Sequence, residues 1–338
     1  MSLKKSRKRW LGMLKVGILG LGAYLPQKKL TNFDLEKMVE TSDEWIRSRT
    51  GIQERRIAGP HEKTSDLAIK AAHQALRDAK VSADKIDLII VATISPDSNF
   101  PSVSCLVQKA IGAKKAAAFD VSAACSGYLY AMTTAKQYIQ TGMAKRALVI
   151  AAERITSLID WKDRDTCVLF GDGSGACVLG SVKTGGITAD FLQAFGDHSD
   201  LMKVVVQETR SPFHPTKTSF TKLPYVEMQG QELFKIAVNS MADAIEKVIR
   251  KAKIKKADID CIVPHQANDR IITAVAKKLN ISKDKIFINI DKYGNMSAAS
   301  IAVALYEAKK SKKIKKGDNV VLVTFGAGLV SAANVIKW

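Results

Sequence analysis

The sequence predicts an α/β protein made of two similar halves, each a mostly parallel sheet with helices packed on it. Three observations carry this. Apolar strand-like runs alternate with amphipathic or small-residue helical stretches along the chain. The halves echo each other at an offset of 173 residues: SADKIDLIIVATISPD, around 86–90, matches KKADIDCIVPHQAN, around 259–263, and RALVIAAE at 147–150 matches DNVVLVTFG at 320–323. Finally, 338 residues with a hydrophobic share of 46% suffice for a large core.

In chain order, residues 1–12 form a basic lead-in, 13–182 a first half and 183–338 a second. Lys4, Lys5, Arg7, Lys8 and Arg9 before VGILGLGAYL superficially match a signal peptide. No small-residue cleavage site precedes Pro26, so the apolar run reads as the first core strand. GILGLG is a chance match to a dinucleotide fingerprint, because Tyr24-Leu25-Pro26 breaks the helix that motif needs. Amphipathic helices follow at 65–79 and, in the second half, at 234–251. Residues 116–121 read as a strand, and 127–139 as a buried helix closed by Gly142.

Cys125 falls at that strand-to-helix junction. The helix dipole and unpaired backbone N–H groups there favour thiolate and offer donors to an oxyanion. The bland alternative for a lone cysteine is core filling, and Cys105, Cys167, Cys177 and Cys261 read that way. Two distant residues distinguish Cys125. His265, in VPHQAN, leaves the C-terminal end of the strand at 259–263, and Asn295, in DKYGNMSAAS, follows FINI in the same way before another small-residue helix. Ligand sites in open α/β sheets lie beyond the strands' carboxyl ends, so the three converge on one rim.

Five cysteines without a CxxC pair exclude a disulfide scaffold or zinc cluster and fit a reduced, cytoplasmic setting. No apolar run reaches a membrane span, since Lys15 and Pro26 interrupt the longest candidate. Net charge is +19, from 52 Lys+Arg against 33 Asp+Glu. Part of it is diffuse, as in the solvated run KKSKKIKK at 309–316, and no aromatic-interleaved basic motif supports nucleic-acid binding. An acidic protein or phosphorylated ligand is the better partner.

Taken together, TNFDLEKMVETSDEWIRSRTGIQERRIA (31–58), FPS (100–102), FDVSAACSGY (119–128), FGDGSGA (170–176), VPHQANDRII (263–272), DKYGNMSAAS (291–300) and FGAG (325–328) resemble the beta-ketoacyl-acyl-carrier-protein synthase III family of thiolase-like condensing enzymes. The strings run in the family's order and cover nearly everything beyond the lead-in. The resemblance implies a five-layered αβαβα thiolase-like fold, a homodimer and initiation of type II fatty-acid synthesis, with no metal or redox cofactor and coenzyme A as part of the substrate. It implies that Cys125 accepts an acyl group from acyl-CoA and that His265 and Asn295 stabilise the enolate formed from malonyl-acyl-carrier-protein. Backbone N–H groups of Cys125 and Ala327 would form the oxyanion hole; Ala327 departs from the family's usual glycine, and LVSAAN replaces the usual aromatic-containing segment after Gly328.

By the same resemblance Thr41, Trp45, Arg49, Arg164 and Asn268 contact CoA. An indole face and guanidinium planes suit a flat adenine and its phosphates. Charged neighbours Asp43, Glu44 and Arg47 place Trp45 on a surface loop rather than in the core. Phe100 would bound the acyl pocket across the dimer interface and favour acetyl or another short primer. Lys235, Arg270, Lys277 and Lys278 match a docking face for the acidic carrier protein. Rival chemistries fit less well: a thiolase needs a second cysteine near the C-terminus, elongating enzymes use two histidines, and a hydroxymethylglutaryl-CoA-synthase-like reaction wants a glutamate that the matched strings lack. A relative in secondary metabolism with the same Cys-His-Asn set, or a non-catalytic binder, remains as the alternative.

Overall fold

The computed structural model describes residues 14–204 and 225–338; the lead-in expected at 1–12 lies outside them. Strands β1 (Val16–Tyr24), β2 (Lys28–Thr31), β3 (Glu54–Ile57), β4 (Leu88–Ala92), β5 (Ala117–Val121), β6 (Arg146–Glu153) and β7 (Gly173–Ser181) belong to the first half. Strands β8 (Gly186–Ala194), β9 (Met202–Val204), β10 (Val226–Met228), β11 (Cys261–Pro264), β12 (Asn319–Gly326) and β13 (Val330–Lys337) follow. The two large sheets have the orders β1-β7-β6-β4-β5 and β11-β12-β13-β8. Their registers repeat the sequence duplication. Leu88 of β4 pairs in parallel with Ala147 of β6, and Cys261 of β11 pairs in parallel with Val320 of β12, each partner displaced by the same 173 residues.

The main helices are α1 (Asp43–Thr50), α2 (Thr64–Ala79), α3 (Val103–Ile111), α4 (Gly127–Gln140), α5 (Gly230–Ala252), α6 (Asp269–Leu279) and α7 (Ala298–Lys310). The strands are buried on both faces, so alternate residues enter different cores. Ile89, Val91, Leu148 and Ile150 pack outward against α2 and α3. Leu88, Ile90, Ala147 and Val149 face α4 and α7, which also receive Val320 and Leu322 from the second sheet. Val321 and Val323 turn to α5 and α6. Helix, sheet, helix, sheet, helix: this is the five-layered αβαβα fold.

The helices expected at 65–79 and 234–251 are present as α2 and α5, the latter beginning a turn earlier. The GILGLG run is core strand. A Cβ at Gly20 would lie 2.2 Å from the Ala79 backbone nitrogen, and one at Gly22 would lie 2.3 Å from the Ala71 carbonyl. These glycines let α2 approach the sheet closely. Cys167, Cys177 and Cys261 are buried as expected, but Cys105 is exposed: α3 turns it away from the face that carries Val103 and Val107. No helix among the described residues is long and apolar enough to cross a membrane.

One buried ion pair ties the central layer to the second sheet. Lys136 of α4, 6% exposed, meets Asp190 of β8 at 2.5 Å, and Asn334 Nδ2 of β13 donates to the other carboxylate oxygen at 2.9 Å. Removing one partner strands a buried charge, which costs about 3–5 kcal/mol. Asp190→Ala should therefore lower the denaturant midpoint sharply, and Asp190→Asn, which keeps an acceptor, should do so less. Equal midpoints for Asp190→Ala and the parent chain would remove this pair from the stability account.

Candidate active site

β5 ends at Val121, and a short 3-10 turn, Ala124–Ser126, leads into α4. Ala124 has φ 42°, in the left-handed region that alanine enters at a cost, so the turn is tight. Gly127, the first residue of α4, lies where an added Cβ would sit 3.0 Å from Ala92 Cβ and 3.6 Å from Ala298 Cβ. The N-termini of α4 and α7 thus meet. Gly326, ending β12, closes on the same point: a Cβ there would lie 2.7 Å from the Cys125 nitrogen. Cys125 is 4% exposed. Burial pushes its thiol up to about 12, and Ser297 and backbone hydrogen bonding oppose this only in part. The thiolate expected from the helix end alone is thus not the resting form; desolvation outweighs the dipole.

His265 follows β11 directly, and its N–H donates to the Val323 carbonyl of β12 at 2.8 Å. That bond holds it on the strand beside the one whose end touches Cys125. Burial lowers its imidazole to about 3, so the ring is neutral at physiological pH, and Nδ1 has no hydrogen-bond partner. Asn295 is fixed from two sides. Its N–H donates to the Leu169 carbonyl at 2.8 Å, and its own carbonyl accepts from Gly171 N–H at 3.0 Å. Its side-chain oxygen accepts from Ser297 N–H at 2.8 Å, which leaves the NH₂ end as the donor available to a ligand.

Behind this loop stands Arg55, which is fully buried. Its guanidinium donates to the Val168 carbonyl at 2.6 Å and to Asn32 Oδ1 at 2.9 Å, and burial brings it down to about 10.

Ser297 is the residue that joins these parts. Its hydroxyl lies beside both the Cys125 thiol and the carboxyl of Glu153, and its N–H holds Asn295. Glu153 ends β6 and is wholly buried. Ser95 Oγ donates to its Oε2 at 2.6 Å, and Thr93 Oγ1 and Ile94 N–H each donate at 3.2 Å. Burial nevertheless raises it to about 7. Sequence reading passed over both residues, although a carboxylate closing the apolar strand RALVIAAE was a visible signal.

The other expected residues fall into groups. Arg164 and Arg49 lie 4.9 and 5.9 Å from the Trp45 ring centre. Trp45 stands half-buried on α1, not on a loop; Ser42 accepts a hydrogen bond from its N–H and caps that helix. Asn268 caps α6 and donates from Nδ2 to the Arg49 carbonyl at 3.1 Å, while Thr41 Oγ1 is buried without a partner. Phe100 is 85% exposed. Lys235 on α5 and Arg270, Lys277 and Lys278 on α6 are exposed; Arg270 lies over Phe234, and Lys278 bonds Asn239 across the two helices. Ala327 is absent from the left-handed backbone positions, whereas Gly328 has φ 134°, so alanine fits the turn where glycine is usual. Among the described residues no cluster of three His, Cys, Asp or Glu could hold a metal ion.

Gly326 is the contact most sensitive to a single methyl group. Gly326→Ala should cost roughly 1–3 kcal/mol of stability by overpacking and slow alkylation of Cys125 by iodoacetamide. An unchanged alkylation rate would mean that the turn relaxes without moving the cysteine.

Comparison with known proteins agrees with this geometry. Residues 119–196 match the family model for 3-oxoacyl-[acyl-carrier-protein (ACP)] synthase III, and residues 249–338 match its C-terminal model. The beta-ketoacyl-[acyl-carrier-protein] synthase III of Caldanaerobacter subterraneus subsp. tengcongensis is 52% identical, over 96% of this chain and 98% of its own. The crystal structure of 3-oxoacyl-[acyl-carrier-protein] synthase III from Aquifex aeolicus superposes with a TM-score of 0.89 at 47% identity, covering 96% of this chain and all of that one. The priming beta-ketosynthase of the R1128 polyketide pathway gives the same TM-score at 31% identity, covering 96% of each chain. With its five layers, its duplicated sheets and these near full-length matches, the chain belongs to the 3-oxoacyl-[acyl-carrier-protein] synthase III family.

Proposed function

We propose that the chain initiates type II fatty-acid synthesis through Cys125, His265 and Asn295. Cys125 takes an acyl group from acyl-CoA as a thioester, and the acyl-enzyme then condenses with malonyl-acyl-carrier-protein, releasing carbon dioxide. The observation that carries this reading is the link through Ser297, which joins the cysteine at a buried helix start to an asparagine whose NH₂ is left as donor. Backbone N–H groups of Cys125 and Ala327 serve the tetrahedral oxyanion, a role supported by the contact of Gly326 with Cys125. His265 donates its ring N–H to the enolate oxygen as a neutral group and takes no proton.

CoA enters past Trp45. Stacking with Arg164 and Arg49 supports an adenine site there, and the link between Asn268 and Arg49 supports a continuous wall with Thr41. The exposed cations of α5 and α6 receive the acidic carrier protein. A homodimer fits the free edge of β5 and the exposed Phe100, since edge strands left open invite pairing. The reaction needs no resident cofactor and takes place in the cytoplasm. The identity of 52% to a beta-ketoacyl-[acyl-carrier-protein] synthase III, against 31% to the polyketide priming enzyme, favours the fatty-acid role over the secondary-metabolic alternative.

Intact-protein mass spectrometry tests the scheme. Acetyl-CoA should add one acetyl group to the parent chain and none to Cys125→Ala, and malonyl-acyl-carrier-protein should discharge it. His265→Ala and Asn295→Ala should still acylate but condense about 10²–10³-fold more slowly. Because the folded imidazole is depressed to about 3, only strong acid would charge it. The decarboxylation rate should therefore show no inflection lost in His265→Ala between about pH 5 and 9. Failure of every acyl-CoA to label Cys125 would favour a binding protein instead.

Phe100 shortens the acyl pocket, so acetyl-CoA should prime better than isobutyryl-CoA and far better than octanoyl-CoA. A clear octanoyl preference would overturn that assignment.

A further inference from the structure

Gln266, the residue after His265, is a polar side chain with only 1% exposure to which the reading above gives no task. It stands where two chain segments part. The segment that follows Lys285 runs parallel to β11 for one rung: Ile286 bridges Ile262, and Phe287 N–H donates to the Ile262 carbonyl at 2.9 Å. The next bond of a parallel ladder would run from the N–H of residue 264 to the Phe287 carbonyl, but Pro264 has no N–H. The Gln266 amide fills that rung. Its Nε2 donates to the Phe287 carbonyl at 3.2 Å and to the Pro264 carbonyl at 2.9 Å, and its Oε1 accepts from Asn289 N–H at 3.0 Å. Turned over, the amide would set its oxygen against two carbonyls, so a single orientation is satisfied.

Each end of this crosslink leads to one of the two donors. On one side stands His265, adjacent in the chain and tied to β12 through its N–H. On the other, Asn289 caps the one-turn helix Ile290–Tyr293, and Gly294, whose N–H donates to the Ile290 carbonyl at 2.9 Å, leads on to Asn295. That turn is held again from α7. Glu307 accepts from Asn289 Nδ2 at 3.0 Å and from the Tyr293 hydroxyl at 2.5 Å. Residues 289–295 therefore form a bracket fixed to α7, and the Gln266 amide joins this bracket to the strand end that carries His265.

We propose that Gln266 is a positioning residue for the condensation step: its wedged amide sets the spacing of the His265 imidazole and the Asn295 NH₂ so that both reach one oxygen. This rests on the reading of His265 and Asn295 as paired donors given above. An apolar side chain in its place would leave two carbonyls and one N–H without partners in the interior, and the two segments would shift to satisfy them. Both donors would then be intact but misplaced, and a displacement of about 1 Å can cost on the order of 10²-fold in rate. Cys125 is set by other contacts, at the start of α4 and the end of β12. The two half-reactions should therefore respond differently to loss of the amide.

The test times the half-reactions separately by intact-protein mass spectrometry, acylation with acetyl-CoA first and discharge by malonyl-acyl-carrier-protein second. Gln266→Met should acylate within about twofold of the parent rate and discharge roughly 10–100-fold more slowly. The loss should fall on kcat, with the KM for malonyl-acyl-carrier-protein little changed. Added to His265→Ala, which removes one of the two donors being spaced, Gln266→Met should cost less than about threefold further. Gln266→Glu keeps the shape and the acceptor for Asn289 N–H; it should show the same split at smaller size, and it reads the point should Gln266→Met not fold. Equal losses in both half-reactions, a full-sized loss on top of His265→Ala, or unchanged discharge in both Gln266 variants would overturn the proposal and leave the amide as core packing. Discharge at the parent rate by both His265→Ala and Asn295→Ala would instead sink the donor reading beneath it.

Discussion

Everything at the reactive centre depends on two helix N-termini meeting where there is almost no room for side chains. α4 and α7 run between the two sheets, and at their starts Gly127, Ala92, Ala298 and Gly326 crowd around Cys125. Small residues here are a condition of assembly, because a methyl group on Gly326 would overlap the Cys125 backbone. Helix starts leave backbone N–H groups without partners inside the helix, and here the closeness buries Cys125 away from water. Preorganised donors act more strongly in such a site than in solution.

Water exclusion has a price in charge, and the site's titratable groups respond to it in different directions. His265 is driven neutral, the Cys125 thiol is held protonated, and Glu153 is brought close to neutrality. A neutral imidazole and an amide NH₂ suit the stabilisation of a negative oxygen without proton transfer. Arg55 shows the other solution to burial. It stays in place because the carbonyls of Leu30 and Val168 and the side chain of Asn32 accept from its two terminal nitrogens, although its Nε–H has no partner.

Much of this was legible in the sequence. The 173-residue echo gave the two sheets, and their hydrogen-bond registers repeat it residue for residue. Strand-end reasoning holds for Cys125 and His265, which follow β5 and β11, but not for Asn295: FINI forms no strand, and a one-turn helix, Ile290–Tyr293, precedes it. Three things escaped. Trp45 was read as a loop residue from its charged neighbours, yet those charges suit the first and last turns of a capped helix. Cys105 was read as core, because a cysteine's side of a short helix is fixed by tertiary packing rather than by its type. Glu153 and Ser297 were missed because their significance lies in mutual distance, which no local pattern encodes.

The duplication also shows which half carries the buried thiol and which side chains stand at the equivalent positions of the other. At the 173-residue offset Ala124 corresponds to Ser297, and both have a positive φ, 42° and 47°. Cys125 corresponds to Ala298, the helix start it nearly touches, and Glu153 corresponds to Gly326. The pairs are reciprocal in space: Gly326, ending its strand, lies against Cys125, and Glu153, ending the equivalent strand, lies beside Ser297. Backbone geometry is therefore common to the halves, and the chemistry comes from which side chains differ. The turn of the first half carries a thiol, and the strand end that faces it from the second half, at Gly326, is bare enough to admit it. In the second half the strained position carries a hydroxyl and the facing strand end a carboxyl. A symmetric scaffold with asymmetric side chains thus brings a buried thiol, a hydroxyl and a carboxyl to the same region without any new fold.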